Sequence, residues 1–65
     1  MKITLNGKLR ELSAAIDVAG LIEMLAVKPE VAVAINGEVV RRADWPATVV
    51  SDGDAVEIVR AVGGG

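Results

Sequence analysis

Met1-Lys2-Ile3-Thr4-Leu5-Asn6-Gly7-Lys8-Leu9-Arg10-Glu11-Leu12 is the stretch on which the fold turns. Ile3 and Leu5 alternate with Lys2, Thr4 and Asn6, the period of two that a half-buried strand shows. Asn6-Gly7 supplies two residues that tolerate positive φ, as a tight type I′ turn requires. The chain is therefore expected to run out as a strand over Met1–Asn6 and to return over Lys8–Leu12. Leu9 and Leu12 fall on opposite faces of the returning strand. Leu9 is expected at the surface and Leu12 beneath the element that follows.

The same signal recurs downstream. Val31 to Ile35 is a continuous apolar run, Asn36-Gly37 repeats the turn, and Glu38, Val39 and Val40 return. Between the two hairpins, Asp17 is a plausible N-cap for a helix reaching about Ala26. Val18, Leu21, Ile22 and Leu25 follow the i, i+3, i+4, i+7 spacing that lays one helical face on a sheet. Gly20 costs that helix about 1 kcal/mol relative to Ala and is read as permitting a close helix–sheet approach. Pro29 prevents continuation past Lys28. Arg41 to Val50 reads as an irregular crossing with Trp45 and Pro46 in its middle. Ser51-Asp52-Gly53-Asp54 is a turn, and Ala55 to Val62 the last strand, with Val56, Ile58 and Val62 on one face and Glu57 and Val59 on the other.

Hairpin, helix, strand pair, crossing and final strand make an α+β arrangement: a mixed sheet of about four to five strands with one packed helix. That order matches the β-grasp, or ubiquitin-like, architecture, with residues 1–62 as a single domain and 63–65 as a flexible glycine tail.

Composition narrows the function. The 65 residues are 52% hydrophobic and 25% charged, with a net charge of −2, so the chain should fold rather than stay disordered. No apolar run approaches the ~20 residues that span a membrane, and no signal-peptide h-region is present; a soluble, cytoplasmic monomer is expected. Without Cys, neither disulfides nor thiolate metal sites arise. Arg41-Arg42 is too small a basic cluster for nucleic acid, and a mildly acidic protein suits a partner with a basic patch. The absence of His, Cys and Tyr removes the commonest general bases and the strongest nucleophile. The chain is read as a substrate of other enzymes, with no catalytic residue, metal or bound cofactor of its own.

Several residues admit two readings. Trp45 is either a core plug beside a loop or an interface anchor. Arg41 and Arg42 are solvated charges or partner contacts. Asp52 and Asp54 resemble a metal pair, but with Gly53 between them they are turn formers. Leu9, Val59 and Ala61 are expected to form an apolar patch on the open sheet face, with Arg41, Arg42 or Arg60 at its rim, where a partner docks.

The chemistry is expected at the end of the chain. Gly63-Gly64-Gly65 can extend about 10 Å from the last strand and lacks side chains, so it can thread a narrow channel. A carboxylate presented there is a poor electrophile until ATP-dependent adenylation makes its oxygen a leaving group. Sulfur attack on the acyl-adenylate then gives a thiocarboxylate. None of these steps needs a side chain of this protein.

The sequence resembles the ThiS family of thiamine-biosynthesis sulfur carriers. The resemblance rests on Met1-Lys2-Ile3-Thr4-Leu5-Asn6-Gly7, Val33-Ala34-Ile35-Asn36-Gly37-Glu38-Val39-Val40-Arg41-Arg42, Trp45, Asp52-Gly53-Asp54, Val56-Glu57-Ile58-Val59 and Val62-Gly63-Gly64-Gly65, in that order. Ala61 stands where a bulkier residue is expected, and Ser13-Ala14-Ala15-Ile16 is unusually apolar. The resemblance implies adenylation by an E1-like partner (ThiF or a MoeB-type adenylyltransferase) that uses ATP and Mg. It also implies sulfur from a cysteine desulfurase or rhodanese-like donor, and delivery to thiazole synthase (ThiG). Gly65 would hold the thiocarboxylate, with Gly63 and Gly64 in the threading tail. Alternatives are a carrier for molybdopterin synthesis, tRNA thiolation or cysteine synthesis, and a ubiquitin-like interaction module that is never activated.

Overall fold

The computed structural model describes residues 1–28 and 30–60. Strand β1 (Lys2–Leu5) turns back into β2 (Lys8–Glu11), followed by a short strand β3 (Ile16–Asp17) and helix α1 (Val18–Met24). Strands β4 (Val31–Ile35) and β5 (Glu38–Val40) form the second hairpin. A 3₁₀ helix (Arg42–Ala47), strand β6 (Val49–Val50) and strand β7 (Ala55–Arg60) complete the order. The main sheet runs β2-β1-β7-β4-β5, and β3 pairs with β6 in a separate two-stranded ribbon.

Both Asn-Gly turns form as their composition predicts. Asn6 and Gly7 have φ of 51° and 82°, and Asn36 and Gly37 have 52° and 85°, the two successive positive angles of a type I′ hairpin. Each turn fixes its hairpin register, with Leu5 opposite Lys8 and Ile35 opposite Glu38. The central strand β7 pairs parallel with β1 and antiparallel with β4, which makes the sheet mixed.

Asp17 caps α1, its Oδ1 accepting from the Gly20 amide at 2.7 Å, and the apolar face of the helix follows. Val18, Leu21 and Ile22 are buried with Ile3, Val33 and Val56 of the sheet, while Leu25 is half-buried against them. Leu12 lies just past β2 and is buried, whereas Leu9 is 71% exposed, as the opposite faces of that strand require.

Three expectations need correction. The helix ends at Met24, short of both Ala26 and Pro29. Ala26 adopts φ 55°; its amide donates to the Glu23 carbonyl and that of Val27 to the Ile22 carbonyl. These are the paired bonds of a Schellman stop, closed here by an alanine in a conformation usually left to glycine. Gly20 does not serve an approach to the main sheet. A Cβ there would meet Cγ1 of Ile16 at 2.8 Å and Oδ1 of Asp17 at 3.2 Å, so the tight contact is with β3 and the cap. Finally, the Arg41–Val50 crossing is ordered rather than irregular. Its 3₁₀ helix buries Trp45 (6% exposed), whose indole N–H donates to the Val40 carbonyl at 3.0 Å. Strand β6 then pairs Val50 with Ile16 and Val49 with Asp17. Trp45 is thus a core residue, which decides between its two readings.

Candidate functional site

The strand that leads toward the glycine run lies at the middle of the sheet. β7 has β1 on one side and β4 on the other, so its direction is fixed by two neighbours rather than one. The pairing with β4 runs to its last residue, Val31 opposite Arg60. The pairing with β1 stops earlier, at Leu5 opposite Val56, because the chain turns at Asn6. Val62, Ala61 and the predicted site residues Gly63, Gly64 and Gly65 lie outside the described residues.

Both Asn residues do more than turn the chain. The Asn6 amide donates to the Val56 carbonyl at 2.9 Å, and the Asn36 amide to the Ala55 carbonyl at 2.8 Å. Their side chains take the adjoining bonds. Asn6 Oδ1 accepts from the Ile58 amide at 2.8 Å, and its Nδ2 donates to the Ile58 carbonyl at 3.2 Å. Asn36 Oδ1 accepts from the Ala55 amide at 2.9 Å, and its Nδ2 donates to Asp54 Oδ1 at 3.0 Å. β7 is therefore held near both ends by the amide of a turn asparagine. Sequence reading gave these residues only their turn role. No local signal reports a bond to a residue 52 positions away.

The acidic turn before β7 is built from the same economy of polar groups. Asp52 Oδ1 accepts from the Lys2 amide at 2.6 Å, and Asp54 Oδ2 from the Ser51 amide at 2.8 Å. Both carboxylates are thus engaged in shaping the turn and tying it to β1, as the turn reading expects.

On the sheet face away from α1, strand alternation brings Val59 opposite Ala32 and Val39 opposite Ala34. Val59 is 60% and Val39 is 74% exposed. Together with the two alanines they form an apolar surface that Glu57 borders. Val39 is the member that sequence reading missed, because which residue of a hairpin lies beside β7 depends on strand order. Leu9 shares this face, opposite Thr4, which in turn pairs with Ala55. It is thus two strands from β7 and level with a residue roughly 13 Å before Val59 along the strand. The structure does not bring Leu9 and Val59 into one patch.

The three arginines separate as well. Arg41, beyond the end of β5, is exposed and lies 3.7 Å from Asp44. Arg42 stacks over the Trp45 ring at 5.9 Å and lines a hollow with Ala19, Ile22 and Glu23 of the helix. Arg60 shares the parity of Val56 and Ile58, so it sits on the helix side, at a slot of 320 Å³ lined also by Leu5, Asn6, Leu25, Val27, Val31 and Ile58. Alternation along β7 therefore puts Arg60 and Val59 on opposite faces.

Among the described residues, no group of three or more Asp and Glu gathers as a metal site, and no helix is long and apolar enough to cross a membrane.

A mixed five-stranded sheet that packs one helix on one face and leaves the other open, with its last strand at the centre, is a β-grasp domain of the ubiquitin-like class. Comparison with known proteins narrows the class. The ThiS family model matches residues 3–65, and the chain belongs to the ThiS family. The crystal structure of the thiamine biosynthesis protein (ThiS) from Geobacter metallireducens superposes with a TM-score of 0.91 at 40% identity, covering all of both chains. The solution structure of a thiamine biosynthesis protein from the same organism gives 0.83 at 42% identity, over all of this chain and 88% of that one. Two thiazole synthases, from Paramagnetospirillum magneticum and Magnetococcus marinus, are each 41% identical over 66 residues. The match takes in the whole of this chain but spans only 20% of the length of either relative.

Proposed function

We propose that this protein is a sulfur carrier of thiazole formation in thiamine biosynthesis, a co-substrate of other enzymes rather than a catalyst. Membership of the ThiS family over residues 3–65 carries the reading. The alignment of the whole chain with part of two thiazole synthases supports thiazole synthase as the acceptor of the sulfur. The working group is the carboxylate of Gly65. An E1-like adenylyltransferase activates it with ATP and Mg, releasing pyrophosphate. The persulfide of a cysteine desulfurase or rhodanese-like donor then displaces AMP to form an acyl disulfide. Reductive cleavage of that disulfide by a thiol leaves the thiocarboxylate, and the thiocarboxylate is delivered to thiazole synthase.

The central placement of β7 supports this reading physically. β7 pairs with β1 as far as Val56 and with β4 as far as Arg60, which restrains the chain that leads to the glycines and lowers the entropy a partner must remove to thread them. The partner is proposed to dock on the open sheet face at Val59, with Val39, Ala32 and Ala34 beside it and Arg41 at the nearby edge.

The test is a mass measurement. Incubation with ATP, Mg, the E1-like enzyme and a sulfur source should raise the mass by the exchange of one oxygen for sulfur, at Gly65 in a C-terminal peptide. Removing Gly65 should slow the reaction, removing Gly64 as well should abolish it, and any residue appended after Gly65 should block it. Val59→Asp should weaken binding of the adenylating enzyme with the fold intact. Sulfur on an internal residue, or full activity with an extended C-terminus, would overturn the carrier reading.

A further inference from the structure

The parallel ladder between β1 and β7 is the place where the molecule departs from simple strand pairing. Thr4 and Asn6 donate their amides to the carbonyls of Asp54 and Val56. In an evenly spaced parallel ladder the next bond would run from the Ile58 amide to the Asn6 carbonyl. The chain is already turning there, with Asn6 at φ 51°. The side-chain carbonyl takes that bond instead, and the side-chain NH₂ adds a second to the Ile58 carbonyl. The Asn6 amide thus stands in for a strand residue, extending two-sided support of β7 by one rung after the strand itself has left.

The turn does not require this. A type I′ turn is satisfied by any residue at ease with positive φ, and glycine serves as well as asparagine. The side-chain carboxamide of Asn6 is spent on Ile58, in another part of the chain. Beyond Ile58, the described residues of β7 are Val59 and Arg60, and their strand neighbour among the described residues is β4.

We propose that Asn6 is a positioning residue for transfer at the chain's C-terminal end. Its carboxamide clamps Ile58 and so holds the part of β7 that leads to residues 61–65, the segment that the carrier reading delivers to a partner's active site. The role rests on the carrier reading; the clamp does not. Asn36 is the built-in control. It makes the equivalent turn and the equivalent side-chain bond, but to Ala55 at the start of β7, far from the departing end.

Asn6→Gly and Asn36→Gly keep both turns and remove one clamp each. Amide hydrogen exchange on the free protein should rise about five- to tenfold at Ile58 in Asn6→Gly, the weight of a lost hydrogen bond. In Asn36→Gly it should rise at Ala55 and stay unchanged at Ile58. Unchanged exchange at Val33 reports an intact sheet in either variant. Asn6→Asp keeps the acceptor for the Ile58 amide and loses the donor, so its exchange should fall between wild type and Asn6→Gly.

Adenylation by the E1-like enzyme, followed by ATP–pyrophosphate exchange, reads the positioning role. Asn6→Gly should raise KM for the carrier about five- to thirtyfold, the factor for ordering one backbone residue on docking, with kcat unchanged. Asn36→Gly should leave KM within twofold of wild type. Unchanged Ile58 exchange in Asn6→Gly would overturn the clamp. Faster exchange with unchanged KM would leave a clamp with no positioning role and overturn the proposal. A wild-type chain that is never adenylated would instead overturn the carrier reading, and the positioning role with it, while the exchange result still judges the clamp.

Discussion

The β4–β5 hairpin and the segment that follows it, residues 41–50, are neighbours in the chain and opposites in construction. The hairpin is specified locally: alternation gives its faces, and Asn36-Gly37 gives its turn and its register. The following segment has neither signal, and sequence reading leaves it irregular. Yet it delivers Trp45 and Val50 to the core, and Thr48 accepts on its carbonyl the amide of Val18, the first residue of α1, at 2.9 Å. It closes the end of the core that the hairpins leave open. Local regularity and structural weight are thus separate properties, and in a domain of this size the irregular-looking piece cannot be ornamental.

The largest expected effect tests that weight. Trp45→Ala removes the largest core side chain and should cost about 3–5 kcal/mol. A domain of this length has roughly 3–10 kcal/mol in all, so the variant should be partly or wholly unfolded by far-ultraviolet circular dichroism in urea. Trp45→Phe, which keeps most of the volume and loses only the bond to the Val40 carbonyl, should cost far less. A midpoint barely moved by Trp45→Ala would make the segment ornamental after all.

The hairpin should respond to its turn rather than to packing. Gly37 has open space around the position of a Cβ but a φ of 85°, so Gly37→Ala meets backbone strain alone, about 1–2 kcal/mol. Asp17→Ala removes the side-chain acceptor for the Gly20 amide and should lower stability by about 1 kcal/mol. That effect should appear in the same cooperative unfolding transition, because β3 and the cap are one piece. The smallest expected effect is a gain. Ala26 holds a left-handed conformation at the helix stop, and Ala26→Gly relieves that strain at the expense of a more flexible unfolded chain. The net should be a stabilisation of roughly 1 kcal/mol or less, read as a higher urea midpoint. A loss would mean that the Schellman stop carries no strain.

The candidate site was legible unevenly. Residues 63–65 are singled out by sequence alone, because glycines following a strand can extend without side chains, and they lie outside the described residues. Val59 was identified by alternation alone, since Glu57 and Val59 must face away from Val56 and Ile58. Val39 beside Val59, and Leu9 apart from it, are set by the order of strands across the sheet. Alternation says which face a residue occupies but not which strand lies beside it. Arg60 is expected at the same rim as Val59, but the parity of β7 places it on the helix side with Val56 and Ile58.

What the sequence by itself determined are the features closed over a few residues: two type I′ hairpins, the Asp17 cap, the apolar stripe of α1 and the acidic turn before β7. Their energetics are local, so composition and spacing suffice to state them. Only the tertiary structure decided that β7 enters between β1 and β4, that the ribbon of β3 and β6 exists, that Trp45 is buried, and that α1 ends at Met24, before any proline. It alone shows the side-chain carbonyls of Asn6 and Asn36 accepting from the Ile58 and Ala55 amides of the central strand. Each of these depends on contacts between residues far apart in the chain, where loop closure and packing of a shared core set the outcome, and no window of neighbouring residues contains that information.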